Sequence, residues 1–318
     1  MARRTASLAH EGEDLPPPDR AARPGRRKAS LQAVEQFPPC FDGQRFRGHF
    51  DVELDLPVME SIGCAFAVAM NARRVIVGHD GTSAAMALSA RISAGIIMQG
   101  ADVEDVGATT IDELRFAILR RRASGGIYVA VEDVASTTHE ICCLGPDSQP
   151  VDVDDDLVPI ARLAERNAFM PAIQIGARID TAAGTRHAFA ETLMELARVR
   201  RGPACRMVMN RNIRPAAALF QTLEQGGFLN AVGIEVVAWP TLSASPGGRV
   251  ADGNPIIRAQ ILQAVRDNEA DIGVFWFSGM RAPLIADANG SIVSHTNLML
   301  ALADRYMNSI PENFIVYD

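Results

Sequence analysis

The amino-acid sequence predicts an α/β protein with two tandem α/β/α domains, mixed and mostly parallel sheets, and a fragment of a third domain. Short apolar runs typical of buried strands alternate with longer segments whose apolar residues recur every three or four positions. This alternation is typical of a largely parallel sheet with helices on both faces. With 318 residues, the chain is long enough for two domains with separate cores.

Four regions follow from composition and pattern. Residues 1–36 are rich in Pro, Arg, Ala and Ser, which predicts a disordered tail. The first domain is predicted over 37–160 and the second over 161–293. Residues 294–318 are predicted to begin a third domain that the chain does not complete.

The first domain opens with a helix over 55–70, in which Asp55 is placed to cap and Pro57 lies in the first turn. A later helix begins with a capping box formed by Thr110 and Glu113. The remaining elements are a strand over 73–78, a loop and helix over 79–100, a strand over 101–107, the capped helix over 109–122, a strand over 125–131, and a hairpin over 140–154 that leaves the domain.

The second domain repeats the alternation and ends in a hairpin. The aspartate-rich stretch 151–157 is predicted to be a solvated acidic turn, because the glycine and glutamate of a calcium loop are absent. Helices are predicted over 157–167, 185–200, 215–227, 254–268 and 295–307, strands over 205–210, 234–239, 270–277 and 312–318, and the hairpin over 282–293.

Charge and cysteine content exclude several classes of protein. The net charge is −7, with a basic tail and a more acidic remainder, so no nucleic-acid partner is expected. No apolar stretch is long enough to cross a membrane, and the five cysteines show no CxxC spacing, which predicts reduced thiols in a cytoplasmic protein. Lys28 is the only lysine, so an anion site in the folded part must use arginine or backbone amides.

From about Arg45 to Asp318 the chain resembles the α-D-phosphohexomutases, the phosphomannomutase/phosphoglucomutase family. The order and spacing of several eroded motifs carry the resemblance. They are FRG at 46–48, VIVGHDGTSAAM at 75–86, ADVEDVGATTIDELRFAI at 101–118, ADGN at 251–254 and ADIGVFWFSGMRAPLIADANGSIVS at 270–294.

The resemblance implies a phosphoserine in TASHNP and a Mg²⁺ ion held by the three aspartates of DGDxD. Alignment on the strand before TASHNP places Glu132 at the serine position. Alignment of the metal loop places Phe277, Gly279 and Arg281 at the aspartate positions. Phenylalanine and glycine offer no side-chain oxygen, and arginine repels Mg²⁺, so no cofactor is expected. The family's later sugar and phosphate loops would lie beyond residue 318, which also predicts a catalytically inactive protein.

Some of the family's cleft residues are retained. Arg47 and Gly48 match its FRG arginine and glycine, and the helix start at Thr82 and Ser83 is a weak candidate for binding phosphate. Structural capping by Thr82 or Ser83 is an equal alternative, and Asp80 is expected to brace the loop. These five residues are the predicted ligand contacts.

Two replacements suggest a compensating pair. Glu132 takes the place of a phosphoserine anion, and Arg281 takes the place of a metal cation. We hypothesise that the two side chains face each other as an ion pair, with separate drift into solvent as the alternative. Ser136 and His139 are close in sequence, but no third partner for a Ser–His nucleophile is identifiable.

Three functions remain open at this point. One is a non-catalytic role in hexose phosphate metabolism, regulating or scaffolding an active enzyme, with weak sugar-phosphate binding. Another is residual phosphomannomutase or phosphoglucomutase activity, and the third is a gene remnant without a role. Apolar residues near the end of the chain need cover, which favours a homo-oligomer or a full-length mutase as partner; they are Leu298, Leu302, Tyr306, Phe314, Val316 and Tyr317.

Overall fold

The protein contains two mixed β-sheets with helices packed against them. The structure, a computed structural model, describes residues 37–133, 137–198, 204–210, 214–229, 233–238, 255–276 and 283–309. The predicted tail over 1–36 and the predicted strand over 312–318 lie outside these ranges.

The first sheet has the order β1-β5-β4-β2-β3-β6. Strand β2 pairs in parallel with β3 and β4, and β3 pairs in parallel with β6, while β5 is antiparallel to both β1 and β4. The parallel pairing brings the carboxyl ends of β2, β3 and β4 to one side, called here the first carboxyl edge. The strands are β1 (Phe46–His49), β2 (Arg74–His79), β3 (Asp102–Ala108), β4 (Gly125–Asp133), β5 (Thr138–Leu144) and β6 (Arg178–Asp180).

Helices cover both faces of this sheet because alternate strand residues are apolar on each side. One core joins α1, α2 and α4 to Val75, Val77 and Ile127, and the other joins α3 to Ile76 and Tyr128. The predicted caps are confirmed, since Asp55 accepts from Val58 N at 2.7 Å and the Thr110–Glu113 box is formed. The helices are α1 (Leu56–Ala69), α2 (Ser83–Met98), α3 (Ile111–Arg121), α4 (Val158–Arg166) and α5 (Ala182–Arg198).

Two glycines allow α1 and α2 to pack in close contact. A Cβ atom at Gly63 would lie 2.1 Å from the carbonyl oxygen of Ile92, and one at Gly95 would lie 2.1 Å from that of Glu60. No side chain fits at either distance, so the backbones of the two helices approach as closely as these glycines permit. The resulting pair supports the strands beneath it.

Two predicted features of residues 140–166 are corrected. The segment after Glu140 does not leave the first domain, because β5 lies inside its sheet and buries Ile141 and Cys143. The acidic stretch is not a simple turn, since Val153–Leu157 form a π-helical turn that Asp152 caps at the amides of Asp154 and Asp155.

The boundary predicted between residues 160 and 161 falls inside α4. Ile160, Ala161 and Ala164 on this helix are buried in the same core as α1 and α2. Strand β6, still further along the chain, pairs with β3. The first sheet and its helices therefore draw on residues well beyond 160.

The second sheet has the order β11-β10-β9-β7-β8, with β7 parallel to β8 and β9, and β10 antiparallel to β9 and β11. Its core includes Val208, Ile261 and Phe275. The predicted strands and closing hairpin in this region are confirmed. The elements are β7 (Cys205–Met209), α6 (Ala217–Gln225), β8 (Ile234–Ala238), α7 (Pro255–Asp267), β9 (Ile272–Trp276), β10 (Pro283–Asp287), β11 (Ile292–Val293) and α8 (His295–Ser309).

Helix α8 confirms the predicted helix near the end of the chain. Three of its apolar side chains, Met299, Leu300 and Leu302, are more than half exposed. Among the helices that the structure describes, none is both long enough and apolar enough to cross a membrane.

Candidate functional site at the first carboxyl edge

Asp80 is the centre of the hydrogen bonding at the first carboxyl edge. Its side chain is 4% exposed and follows directly after β2. Oδ1 accepts from Thr82 N at 2.9 Å and from Thr82 Oγ1 at 2.8 Å, while Oδ2 accepts from Val131 N at 2.8 Å. Asp80 therefore ties the loop between β2 and α2 to the end of β4, in agreement with its predicted bracing role.

The backbone amides of this loop are largely engaged by acceptors of the loop itself and of the adjoining strands. The amide of Asp80 donates to Val129 O at 3.0 Å, and that of Gly81 donates to His79 Nδ1 at 3.0 Å. Thr82 caps α2 by accepting from Ala85 N at 3.3 Å, and Ser83 is the first residue of the helix. Since these donors already have partners, the loop is braced for structure, and its binding of phosphate stays a prediction.

Two buried histidines stand beside this loop. Because Gly81 N–H donates to Nδ1 of His79, the neutral ring carries its proton on Nε2. Burial lowers the pKa of His79, although Asp105 and Asp80 act in the opposite direction. His139 on β5 is 4% exposed, and among the described residues neither of its ring nitrogens meets the geometry of a full hydrogen bond, although the backbone of Thr137 is close enough to favour the charged ring. Burial lowers its pKa as well.

Arg47 and Gly48 lie on β1, the edge strand at the opposite end of the sheet from β3 and β6. The Nε atom of Arg47 lies 2.8 Å from Asp42 Oδ2, so its guanidinium braces the approach to β1. A Cβ atom at Gly48 would lie 2.7 Å from the Cβ atom of Glu53, so glycine is required by the turn that folds back onto β1. A structural reason thus accounts for each of these two matches to the family motif.

The positions at which the sequence predicts replaced catalytic residues are described only in part. The backbone of Glu132 belongs to β4, one residue after Val131, and therefore lies at the first carboxyl edge. Its side chain is not described, and Phe277, Gly279 and Arg281 lie outside the described residues. The ion pair between Glu132 and Arg281 stays a prediction.

Two arginines that were not predicted as site residues reach the loops of this edge. The NH1 atom of Arg214, which precedes α6, lies 3.4 Å from the carbonyl oxygen of Gly81. The NH2 atom of Arg186 on α5 donates to Ala108 O at 2.8 Å, and its Nε lies 3.5 Å from Glu113 Oε1. The absence of lysine from residues 37–318 was the signal that arginine supplies the positive charge here.

A third missed residue is Asn210, at the carboxyl end of β7. Its Nδ2 donates to Trp276 O at 2.7 Å, and its Oδ1 accepts from Trp276 N at 2.7 Å. Asn210 therefore holds the last residue of β9, immediately before the positions that are predicted to correspond to the family's metal loop. An amide serves this purpose because it offers one donor and one acceptor.

A cavity of about 490 Å³ lies between α3, β5 and the segment over 150–157. None of the predicted ligand contacts lines it. Its charged lining combines Arg45 and Arg115 with Asp112 and Glu140, a balance of two positive and two negative groups, and the rest of its lining is mostly apolar. This mixed lining favours no single class of ligand.

The fold and the position of the polar loops together define a class of protein. It is an α/β/α sheet protein whose polar loops meet where parallel strands end, the usual position for a ligand cleft in such folds. Residues 40–167 match the family model described as phosphoglucomutase/phosphomannomutase, alpha/beta/alpha domain I. The comparisons support an α-D-phosphohexomutase family member, and the match to the family model is confined to residues 40–167.

Individual relatives agree with this assignment. A phosphomannomutase of Escherichia coli is 24% identical over 287 residues, which cover 88% of this chain and 62% of that protein. A phosphomannomutase of Klebsiella pneumoniae is 28% identical over 132 residues, covering 42% of this chain and 84% of that protein. This chain thus matches less than two thirds of the length of the Escherichia coli relative.

Solved structures show the same fold. A phosphoglucomutase/phosphomannomutase family protein from Burkholderia thailandensis superimposes with a TM-score of 0.65 at 18% identity. The superposition covers 84% of this chain and 59% of that protein. The mixed α/β fold predicted from the sequence is confirmed, and this likeness concerns the fold alone.

Proposed function

We propose that this chain is a non-catalytic member of its family that acts in hexose phosphate metabolism by regulating or scaffolding an active enzyme. The observation that carries the proposal is the residue at the nucleophile position, Glu132, at the carboxyl end of β4. A serine hydroxyl can accept and return a phosphoryl group as a stable ester, whereas a glutamate offers only a fixed negative charge in its place.

The metal positions support the same proposal through the chemistry of their side chains. Mg²⁺ requires oxygen ligands, and the residues at the three aspartate positions are Phe277, Gly279 and Arg281. This donor set does not fit the ion that phosphoryl transfer uses to neutralise developing charge. The mutase reaction therefore lacks both its nucleophile and its cation by the family's route.

The hydrogen bonds that brace the loop after β2 also support a non-catalytic role. Asp80 and the amides around it are engaged within the protein, which leaves few groups to contact a phosphate. Arg214, beside Gly81, supplies the positive charge with which this edge attracts a sugar phosphate weakly. A protein that still binds a sugar phosphate but transfers no phosphoryl group suits a regulatory or scaffolding role.

The proposal extends to the organisation of the chain. We assign the second sheet, β7 to β11, to the family's second α/β/α domain and α8 to the start of a third. The exposed apolar side chains of α8 are then the surface through which a full-length mutase or another copy of this chain is contacted.

Thermal unfolding with ligands tests the proposal. The protein is melted with and without glucose 1-phosphate, mannose 1-phosphate and a hexose 1,6-bisphosphate, each with and without Mg²⁺. A ligand that binds only the folded state stabilises it by about 2.7 kcal/mol at a hundredfold excess over its dissociation constant. We expect a shift that does not depend on Mg²⁺, and a Mg²⁺-dependent shift or turnover of a hexose 1-phosphate would contradict the proposal.

Variants of Glu132 separate binding from chemistry. Glu132→Ser restores the hydroxyl without the metal ligands and is expected to show no turnover, because the cation is still missing. Glu132→Gln is the matched control, since it removes the charge and keeps the size. If Glu132 pairs with Arg281, Glu132→Gln and Arg281→Gln each lower the melting temperature, and the double variant costs less than their sum.

A further inference from the structure

Within the described part of the chain, the outer strand of the first sheet, β6, pairs on one side only. The sheet order ends with β6, and its three residues are all exposed. The amide of Val103 donates to Ala177 O at 2.8 Å, and that of Thr181 donates to Asp105 O at 2.8 Å. In a parallel sheet, alternate residues of a strand form their backbone hydrogen bonds with the same neighbouring strand. Ala177 and Thr181 bond to β3, and Arg178 and Asp180 are out of phase with them. The N–H and C=O groups of Arg178 and Asp180 therefore point away from β3.

An exposed apolar strip leads into this edge. The segment before β6 is held to the end of α2, where Ala172 N donates to Met98 O at 2.8 Å and Gly176 N donates to Ile97 O at 2.9 Å. Its large apolar side chains nevertheless face outward. The exposed fractions are 85% for Met170, 110% for Ile173, 62% for Ile175 and 45% for Ile179. We call these four residues the β6 strip.

We propose that the β6 edge is a dimer interface, in which β6 pairs antiparallel with β6 of a second copy of this chain about a two-fold axis at Ile179. In this register Ile179 lies opposite Ile179 of the partner subunit. Arg178 lies opposite Asp180 of the partner subunit, and the same pair repeats on the other side of the axis. The two first sheets then form one continuous sheet across the dimer.

The backbone of β6 suits this register. In an antiparallel pair, residues whose N–H and C=O groups point at the partner exchange two hydrogen bonds. Arg178 and Asp180 are the residues whose groups point outward, so the two Arg178–Asp180 pairs are the hydrogen-bonded ones. Ile179 on the axis becomes the closer, non-hydrogen-bonded pair, which favours apolar contact between the side chains.

Charge identifies the occupant as a second copy. The strand reads Arg-Ile-Asp, so its charge pattern is complementary to itself when it is reversed. The guanidinium of Arg178 also pairs with Asp105 of its own chain, so in the dimer it would be shared between Asp105 and Asp180 of the partner subunit. A two-fold interface uses the same patch on both subunits and therefore needs this self-complementarity. The strand pair alone is too small for a stable dimer, which buries about 800 Å² on each partner, and the rest of the β6 strip adds apolar area beside it.

The oligomeric state of the full chain tests this inference. Sedimentation velocity over about 1 to 100 μM should show a rise towards twice the chain mass of 34.2 kDa. Ile179→Lys places two cations opposite each other on the axis and should weaken the dimer about tenfold or more. Leu119→Lys changes a similarly exposed apolar residue on α3 and is the matched control. A monomer at every concentration, or a dimer that Ile179→Lys leaves intact, would overturn the inference.

A cross-link tests the register itself. The Cα atoms of a non-hydrogen-bonded antiparallel pair lie about 4.5 Å apart, within the range that a disulfide spans. Mild oxidation of Ile179→Cys should therefore give a covalent dimer that a reductant reverses. If Ile179→Cys dimerises no faster than Leu119→Cys or the unmodified chain with its own five cysteines, this register is wrong. Neither experiment depends on catalysis or on sugar-phosphate binding.

Discussion

The two sheets hold the carboxyl ends of their parallel strands by different chemistry. In the first sheet the carboxylate of Asp80 accepts three hydrogen bonds and joins the loop after β2 to β4. In the second sheet the neutral amide of Asn210 exchanges two hydrogen bonds with the backbone of Trp276 at the end of β9. One edge has a buried charge satisfied by donors, and the other has a clamp without charge.

At both edges these polar groups are used to hold the fold together and are not available to a ligand. A carboxylate that accepts three hydrogen bonds within the protein has little capacity left for a metal or a substrate. A neutral clamp at β9 neither attracts nor repels a cation. Both edges are therefore stabilised in ways that do not require the family's chemistry.

The largest expected effect comes from removing the charged brace. Asp80→Ala leaves the amides of Val131 and Thr82 without their acceptor in a buried site, which should destabilise the protein by about 3 kcal/mol. Urea unfolding measures this loss. Asp112→Ala, at an exposed carboxylate, is the control and should change stability by less than about 0.5 kcal/mol.

Asp80→Asn sharpens the same test. The amide keeps one acceptor oxygen but turns an NH₂ group towards a backbone N–H, so part of the bracing is lost. We expect a destabilisation between those of the parent and Asp80→Ala. Equal stability of Asp80→Asn and the parent would mean that the charge of Asp80 has no part in the brace.

Breaking the neutral clamp should have a smaller effect. Asn210→Ala removes both hydrogen bonds to Trp276 at a half-buried site, for a loss of about 2 kcal/mol in the free energy of unfolding. Asn210→Asp keeps the acceptor for Trp276 N but places a negative oxygen against Trp276 O. It should be at least as destabilising at neutral pH and recover in acid, when its protonated form can donate.

Capping at the first edge ranks third. Thr82→Ala removes the acceptor for Ala85 N and the hydroxyl bond to Asp80, which should cost about 1 kcal/mol. Ser83→Ala, one residue further into α2, is the control because the cap uses Thr82. A loss at Ser83 as large as that at Thr82 would show that the helix start is capped differently.

Much of the fold could be predicted because local and tertiary preferences agree. Helix α1 has its apolar period, its Asp55 cap and an early proline, and all three indicate the same start. Strands β1 and β6 were not predicted, because Phe46–His49 and Arg178–Asp180 are short and contain no apolar run. These strands exist through pairing with β5 and β3, which a single segment does not encode.

The candidate site was predictable to a smaller extent. The bracing role of Asp80 was inferred from its position between a strand and a helix start, and the structure agrees. Arg214 and Asn210 were missed because their partners are backbone atoms, Gly81 O and the N and O of Trp276. Backbone partners leave no pattern in the sequence.

The smallest expected effect is a pH dependence from His139. Burial lowers its pKa below the ordinary value of 6.5, so the unfolded chain binds the proton more tightly than the folded one does. Stability that is present above pH 6.5 is therefore lost as the pH falls through 6.5 towards the folded pKa. His139→Leu removes this titration at similar volume and leaves no unpaired ring nitrogen.

The measurement is urea unfolding at pH 7.5 and at pH 5.5. Relative to the parent protein, His139→Leu should lose less stability between the two pH values, by less than about 1 kcal/mol. His79→Leu is less informative because its Nδ1 accepts from Gly81 N, so that variant also breaks the loop. His187→Leu, at an exposed position on α5, is the control. If His139→Leu and His187→Leu change the pH dependence equally, burial of His139 is not its cause, and His79, whose pKa burial also lowers, becomes the next group to test at this edge.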